Sequence, residues 1–207
     1  RDYEAVGERT ADGEKFKAVQ VRLYRPAVKR AELTVRWMAD LPALDNDDLR
    51  RGRAANHKKF GEATAILAGD GLLALAFEIL ARDVADPALV AAMVAELAAA
   101  AGWEGMIGGE AADLEGEALP PNVDLVASIH ADKTARLIQA ACRLGALAAR
   151  ADDASVSDLA RYGHELGLAF QAVDDLLDAT ATARQLAKNT GKDASSGKQT
   201  YLRAVGM

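Results

Sequence analysis

From about Phe60 onward the apolar positions recur with a helical period. Between His57 and Arg82, the residues Phe60, Ala63, Leu67, Leu72, Leu75, Ala76 and Ile79 fall at mostly helical spacing, which predicts one long helix. Asp86-Pro87 then supplies an N-cap followed by a proline suited to a first turn, predicting a second helix that runs towards Gly102. Gly102 to Gly116 is glycine-rich, and Gly108-Gly109 suits either a close approach of two helices or a ligand. Pro120-Pro121-Asn122 breaks the pattern, with Asn122 placed to cap a helix from Val123 to Arg150. A polar turn spans Asp152 to Ser157, where Ser155 or Ser157 is expected to cap a last helix that ends at an acidic motif. The stretch Lys188 to Tyr201 is small, polar and basic and reads as a mobile loop. Upstream, Pro42 disfavours helix at Leu41, so a helix is expected to end there, with Asp40 at its C-terminus and Asp45 to Arg51 in the following loop.

Composition narrows the class. The 207 residues suffice for one domain with a sizeable core, and a half-hydrophobic, aromatic-poor, proline-poor chain favours an all-α bundle over a sheet. The 25 basic residues against 31 acidic ones leave a net charge of −6, and no basic stripe interleaved with aromatics appears, so nucleic-acid binding is not expected. The single cysteine, Cys142, lies among apolar neighbours and excludes a disulfide framework within the chain. No signal peptide opens the sequence and no apolar run reads as long enough to cross a bilayer, which makes a cytoplasmic enzyme the default expectation.

The chemistry concentrates in two acidic clusters. In Phe170-Gln171-Ala172-Val173-Asp174-Asp175-Leu176-Leu177-Asp178, Asp174 and Asp178 stand four residues apart on one helix face, and Asp175 lies about 100° around the axis from Asp174. Carboxylates this close repel unless a cation or a proton intervenes. An oxygen-only set without His or Cys favours Mg²⁺, which typically takes one or two carboxylates together with substrate phosphates. The second cluster, Asp40 to Asp48, runs straight into Arg50-Arg51, whose forked donors suit phosphate oxygens. Acids at a helix C-terminus oppose the macrodipole, which argues for a metal role rather than a stabilising one. Two such clusters on facing helices would grip one diphosphate from both sides.

With these residues in view, the chain resembles the trans-polyprenyl diphosphate synthases, the short-chain bacterial type that makes farnesyl or geranylgeranyl diphosphate. Asp174 to Asp178 with Phe170-Gln171 before it looks like the second aspartate-rich motif of that family, and Asp40 to Gly52 looks like the first. Between them Phe60 to Asp70, Gly105 to Glu110 and Ile129 to Thr134 are similar to family segments in order and spacing, and the resemblance covers roughly Asp40 to Tyr201. It implies an isoprenoid-synthase-type helical bundle around a central cavity. It also implies a homodimer and a head-to-tail condensation: an allylic diphosphate ionises and the double bond of isopentenyl diphosphate attacks the cation. On this resemblance Asp40, Asp45, Asp174, Asp175 and Asp178 hold Mg²⁺, with Asp174 and Asp175 dominant. Arg50, Lys133, Lys188 and Lys198 clamp the allylic diphosphate, with the lysine loop acting as a lid, and Arg51 serves isopentenyl diphosphate. Lys133, Thr134 and Gln171 would form the catalytic group, placing carbonyl dipoles near the cation, while His130 and His164 receive no role.

The sequence also departs from the family. Ala39 stands where the first motif should open with an aspartate. The Gly-Lys-Arg-x-Arg-Pro segment that binds isopentenyl diphosphate has no counterpart in residues 1–38. Lys29, Arg30, Glu32 and Arg36 occupy what should be an apolar helix face. The expectation is therefore an atypical segment at 1–38 and a partial synthase domain at 39–207, with N- and C-terminal helices missing or abnormal, as a reading-frame change or a gene fragment would produce. A non-catalytic partner subunit or inactive fragment is the alternative to the active enzyme.

Overall fold

The structure is a computed structural model that describes residues 48–50, 53–180 and 197–206, with four short backbone stretches upstream. Those stretches form two antiparallel ladders: β1 (Thr10–Ala11) with β2 (Glu14–Lys15), and β3 (Val21–Leu23) with β4 (Ala31–Leu33). A third ladder joins β5 (Leu49–Arg50) to β6 (Arg53–Ala54), with Arg50 opposite Arg53. A loop was expected here; a hairpin forms, fastened to the helical part of the chain by the Ala55 N–H donating to the Asp48 carbonyl (2.9 Å) and by a Lys58–Asp48 ion pair (2.9 Å).

Apart from short turns and connections, the rest of the described chain is helical, as the periodicity predicts. The first long helix is split, because Gly61 adopts φ 86°, a conformation in which a side chain is strained, so α1 (Asn56–Phe60) gives way to α2 (Glu62–Asp83). Helix α3 (Pro87–Ala101) starts as expected, with the Asp86 carboxylate accepting from the Ala88 N–H. Helix α4 (Met106–Gly116) comes after the glycine-rich turn. Asn122 then accepts from the Leu125 N–H at 3.0 Å and caps α5 (Val123–Ile129). This helix does not run uniformly to Arg150. A π-helical segment, His130–Ala135, is inserted before α6 (Arg136–Ala148). The 28-residue α7 (Asp153–Thr180) is capped by neither expected serine; the Asp152 carboxylate accepts from the Ser155 N–H at 2.8 Å. A short α8 (Tyr201–Ala204) closes the described chain.

The core is built from small side chains. Ala65, Val126, Ala135 and Ala140 are almost wholly inaccessible, and Ile129 and Met93 are buried beside them. Small residues let helix backbones approach, and α7 comes close to both the π segment and α6. A Cβ at Gly167 would sit 2.7 Å from the Ala135 Cβ, and one at Gly163 would sit 2.8 Å from the Gln139 Cα. Alanine there would force the helices apart.

One expectation needs correction. Helix α2, with 22 residues and mean hydropathy 1.7, and the stretch Pro87–Gly116, with mean hydropathy 1.4, are long and apolar enough by length and composition to cross a membrane. The reason is their density of Ala, Leu and Ile, and in the described structure Ala65 is the one buried residue of α2. On α7 the apolar and the acidic residues differ in exposure. Leu159, Tyr162, Leu166, Phe170, Val173 and Leu177 form an exposed stripe among the described residues, while Asp175 and Asp178 are buried.

Candidate functional site

The site assembles where the π segment lies between α4 and α7. A π turn bonds i to i+5 and so widens the helix by a residue, which changes which side chains face each neighbour. His130 and Ala135 are buried, Lys133 reaches α4, and Thr134 reaches α7. The close contact is made by Gly109, where a Cβ would lie 2.6 Å from the Lys133 Cα. Of the two readings open for the Gly108-Gly109 pair, helix approach is the one the structure adopts at Gly109.

Lys133 Nζ lies 2.7 Å from Asp113 Oδ2 and 2.8 Å from Glu110 Oε2. Burial alone would lower the pKa of this lysine. The Asp113 carboxylate, and Glu110 after it, outweigh that penalty and hold the ammonium above its ordinary 10.5. On the other side, the Thr134 hydroxyl donates to Gln171 Oε1 at 2.9 Å, which fixes both side chains one turn before the acidic end of α7. Of the group Lys133, Thr134 and Gln171, the structure joins Thr134 to Gln171, while the Lys133 side chain turns to α4.

The α7 acids differ in their surroundings. Asp174 is half-buried, Asp178 is buried, and Asp175, 5 % exposed, is held by the protein itself. Its Oδ2 accepts from the Tyr201 N–H at 3.0 Å and lies 3.5 Å from His130 Nε2, and the His130 ring meets the Tyr201 ring edge-on. Among the described residues no group of three Asp, Glu, His or Cys side chains forms a ready cation site. The donor set is nevertheless the right kind for Mg²⁺: oxygen ligands only, on one helix, few enough that water and phosphate oxygens would complete the shell.

Of the other residues singled out, Asp40, Asp45, Arg51 and Lys188 lie outside the described residues, as does Ala39. Arg50 is placed in β5 by its backbone only. Lys198 is described, and its carbonyl accepts from Arg203 Nη1 at 2.9 Å. Sequence reasoning missed Glu110, Asp113, His130 and Gln199. The first two carried a signal, an acid pair three residues apart on a glycine-rich helix. Gln199 carried none, yet it is buried, donating to the carbonyls of Gly116 (2.8 Å) and Leu119 (3.1 Å) and accepting from the Asn122 N–H (3.1 Å).

Residues 40–207 match the family model for polyprenyl synthetase. The chain belongs to that family. It is 44% identical over 175 residues to the heterodimeric geranylgeranyl pyrophosphate synthase large subunit 1, chloroplastic, of Arabidopsis thaliana, covering 81% of this chain and 47% of that one. It is 44% identical over 165 residues to farnesyl diphosphate synthase of Geobacillus stearothermophilus, covering 78% and 56%. Among solved structures, the geranyltransferase of Helicobacter pylori complexed with magnesium and isoprenyl diphosphate superposes with a TM-score of 0.73 at 34% identity, covering 81% of this chain and 55% of that one. The isoprenoid-synthase helical fold expected of the family member is therefore the observed one. The chain spans about half the length of the curated relatives it matches. The cytoplasmic expectation does not survive these matches, because the plant relatives are chloroplastic proteins.

Proposed function

We propose that this polyprenyl synthetase chain is a prenyltransferase that condenses an allylic diphosphate with isopentenyl diphosphate to a short-chain polyprenyl diphosphate. The observation that carries the reading is the Thr134–Gln171 hydrogen bond one turn before the acids of α7, with Lys133 next to Thr134 on the π segment. In the condensation the allylic C–O bond breaks with its electron pair leaving on the diphosphate, a C–C bond forms to the isopentenyl double bond, and a proton is lost. Lys133 is a cation for the diphosphate oxygens, with Lys198, Arg50 and Lys188 completing the clamp and Arg51 serving isopentenyl diphosphate. The Thr134 and Gln171 oxygens, fixed by their mutual hydrogen bond, place negative dipoles where the allylic cation develops, and preorganised dipoles of this kind need no reorientation during the reaction. Mg²⁺, held by Asp174, Asp175 and Asp178 together with Asp40 and Asp45, would neutralise charge on the departing diphosphate.

The same proposal includes a homodimer, and residues 1–38 as a segment apart from the synthase domain at 39–207. A non-catalytic partner subunit is the second reading, favoured by Ala39 at the head of the first acidic cluster. Two measurements decide between them. Asp174→Ala should abolish Mg²⁺-dependent binding of a non-hydrolysable allylic diphosphate analogue in calorimetry, and unchanged binding refutes the site. Incorporation of radiolabelled isopentenyl diphosphate onto dimethylallyl or geranyl diphosphate supports the enzyme; binding without incorporation favours the partner subunit.

A further inference from the structure

We infer that Glu110 is an internal competitor for Lys133, a carboxylate that an incoming diphosphate must displace, and so sets the affinity of the site. The inference rests on the reading of Lys133 as a diphosphate ligand.

Glu110 and Asp113 stand three residues apart, on one face of α4, and both reach the same ammonium. An ammonium has three donors, and two are occupied here. The local sum is one positive charge against two negative ones, an arrangement that repels an anion rather than inviting it. The two carboxylates are not equivalent. The Asp113 side chain is 8% exposed, and a buried carboxylate without its cation is costly, so Asp113 is bound to Lys133 by its own burial. The Glu110 side chain is 29% exposed and can return to water when its place is taken. Displacement therefore runs through Glu110, and Asp113 stays to aim the lysine from the α4 side.

This division of roles fixes a sign that a merely structural ion pair would not give. If Glu110 only braced the fold, neutralising it would leave diphosphate affinity unchanged or reduced. If it competes, neutralising it tightens binding. The expected gain is about tenfold, between the few-fold worth of an exposed ion pair and the hundredfold reached by the strongest charge-assisted hydrogen bonds.

The test is calorimetric titration of the full 207-residue chain with inorganic pyrophosphate in the presence of Mg²⁺, comparing wild type, Glu110→Gln, Glu110→Ala and Lys133→Ala. The Gln variant is isosteric and keeps the fold; the Ala variant checks that any gain comes from lost charge rather than from a new amide contact. About tenfold tighter binding in both Glu110 variants, with weaker binding in Lys133→Ala, supports the inference. Weaker binding in Lys133→Ala with no gain in either Glu110 variant overturns the inference and leaves the diphosphate reading standing. Unaltered binding in Lys133→Ala, or no binding by any of the four proteins, overturns the diphosphate reading of Lys133 and the inference with it.

Discussion

Replacing Gly109 with alanine tests the link between helix packing and the site. A Cβ at this position would lie 2.6 Å from the Lys133 Cα and 2.7 Å from the Asp132 carbonyl carbon, and both atoms are backbone. No rotamer change can relieve a contact with backbone, so α4 and the π segment must separate. Overpacking costs about 1–3 kcal/mol, and backbone contact puts this case at the upper end, about 3 kcal/mol. Alanine recovers about 1 kcal/mol of helix propensity, leaving a net loss of about 2 kcal/mol. For a chain of this size that corresponds to a fall in Tm of about 4–8 °C. The control is Gly145→Ala, also within a helix but with open space around the new methyl; there only the propensity gain remains, and stability should rise by about 0.5–1 kcal/mol. Urea denaturation of the two variants therefore gives shifts of opposite sign. Gly109→Ala as stable as Gly145→Ala would refute the close approach and, with it, the account of how Lys133 is brought against Glu110 and Asp113.

Other outcomes rest on the same geometry. Gln199→Ala leaves the Gly116 and Leu119 carbonyls and the Asn122 N–H without their partner, and at about 1 kcal/mol per hydrogen bond the loss should be about 2–3 kcal/mol by urea denaturation; a loss below about 0.5 kcal/mol would contradict the anchoring role. Because the folded pKa of Lys133 is raised above 10.5, its contribution to stability is complete below pH 10.5 and is lost as pH rises through the folded value. The alkaline fall in urea midpoint should accordingly be smaller in Lys133→Met than in wild type, and equal slopes in the two proteins would refute the assignment. Asn122→Ala should cost about 1 kcal/mol through the lost cap of α5, measured as a lower Tm, and an unchanged Tm would count against the cap.

By itself the sequence determined the helical class and most helix starts, because these depend on local rules. Asp86-Pro87 and Asn122 cap their helices through side-chain oxygens and fixed backbone angles that need no distant partner. Ordered motifs likewise disclosed the family, since their order and spacing are read along the chain without any tertiary contact. What only the tertiary structure decided depends on which atoms meet across elements. The break at Gly61, the π turn at His130–Ala135 and the cap by Asp152 in place of a serine are choices among local options that packing settles. On α7 the apolar period continues through Leu159, Leu166 and Val173 as it would on a core-facing helix, yet in the described structure that stripe is exposed. Asp175 turns inward because His130 and the Tyr201 N–H, 45 and 26 residues away in sequence, meet it there. Periodicity reports that a helix has two faces. Which face is inside depends on partners distant in the chain, and for Lys133 those partners are Glu110 and Asp113 on a different helix.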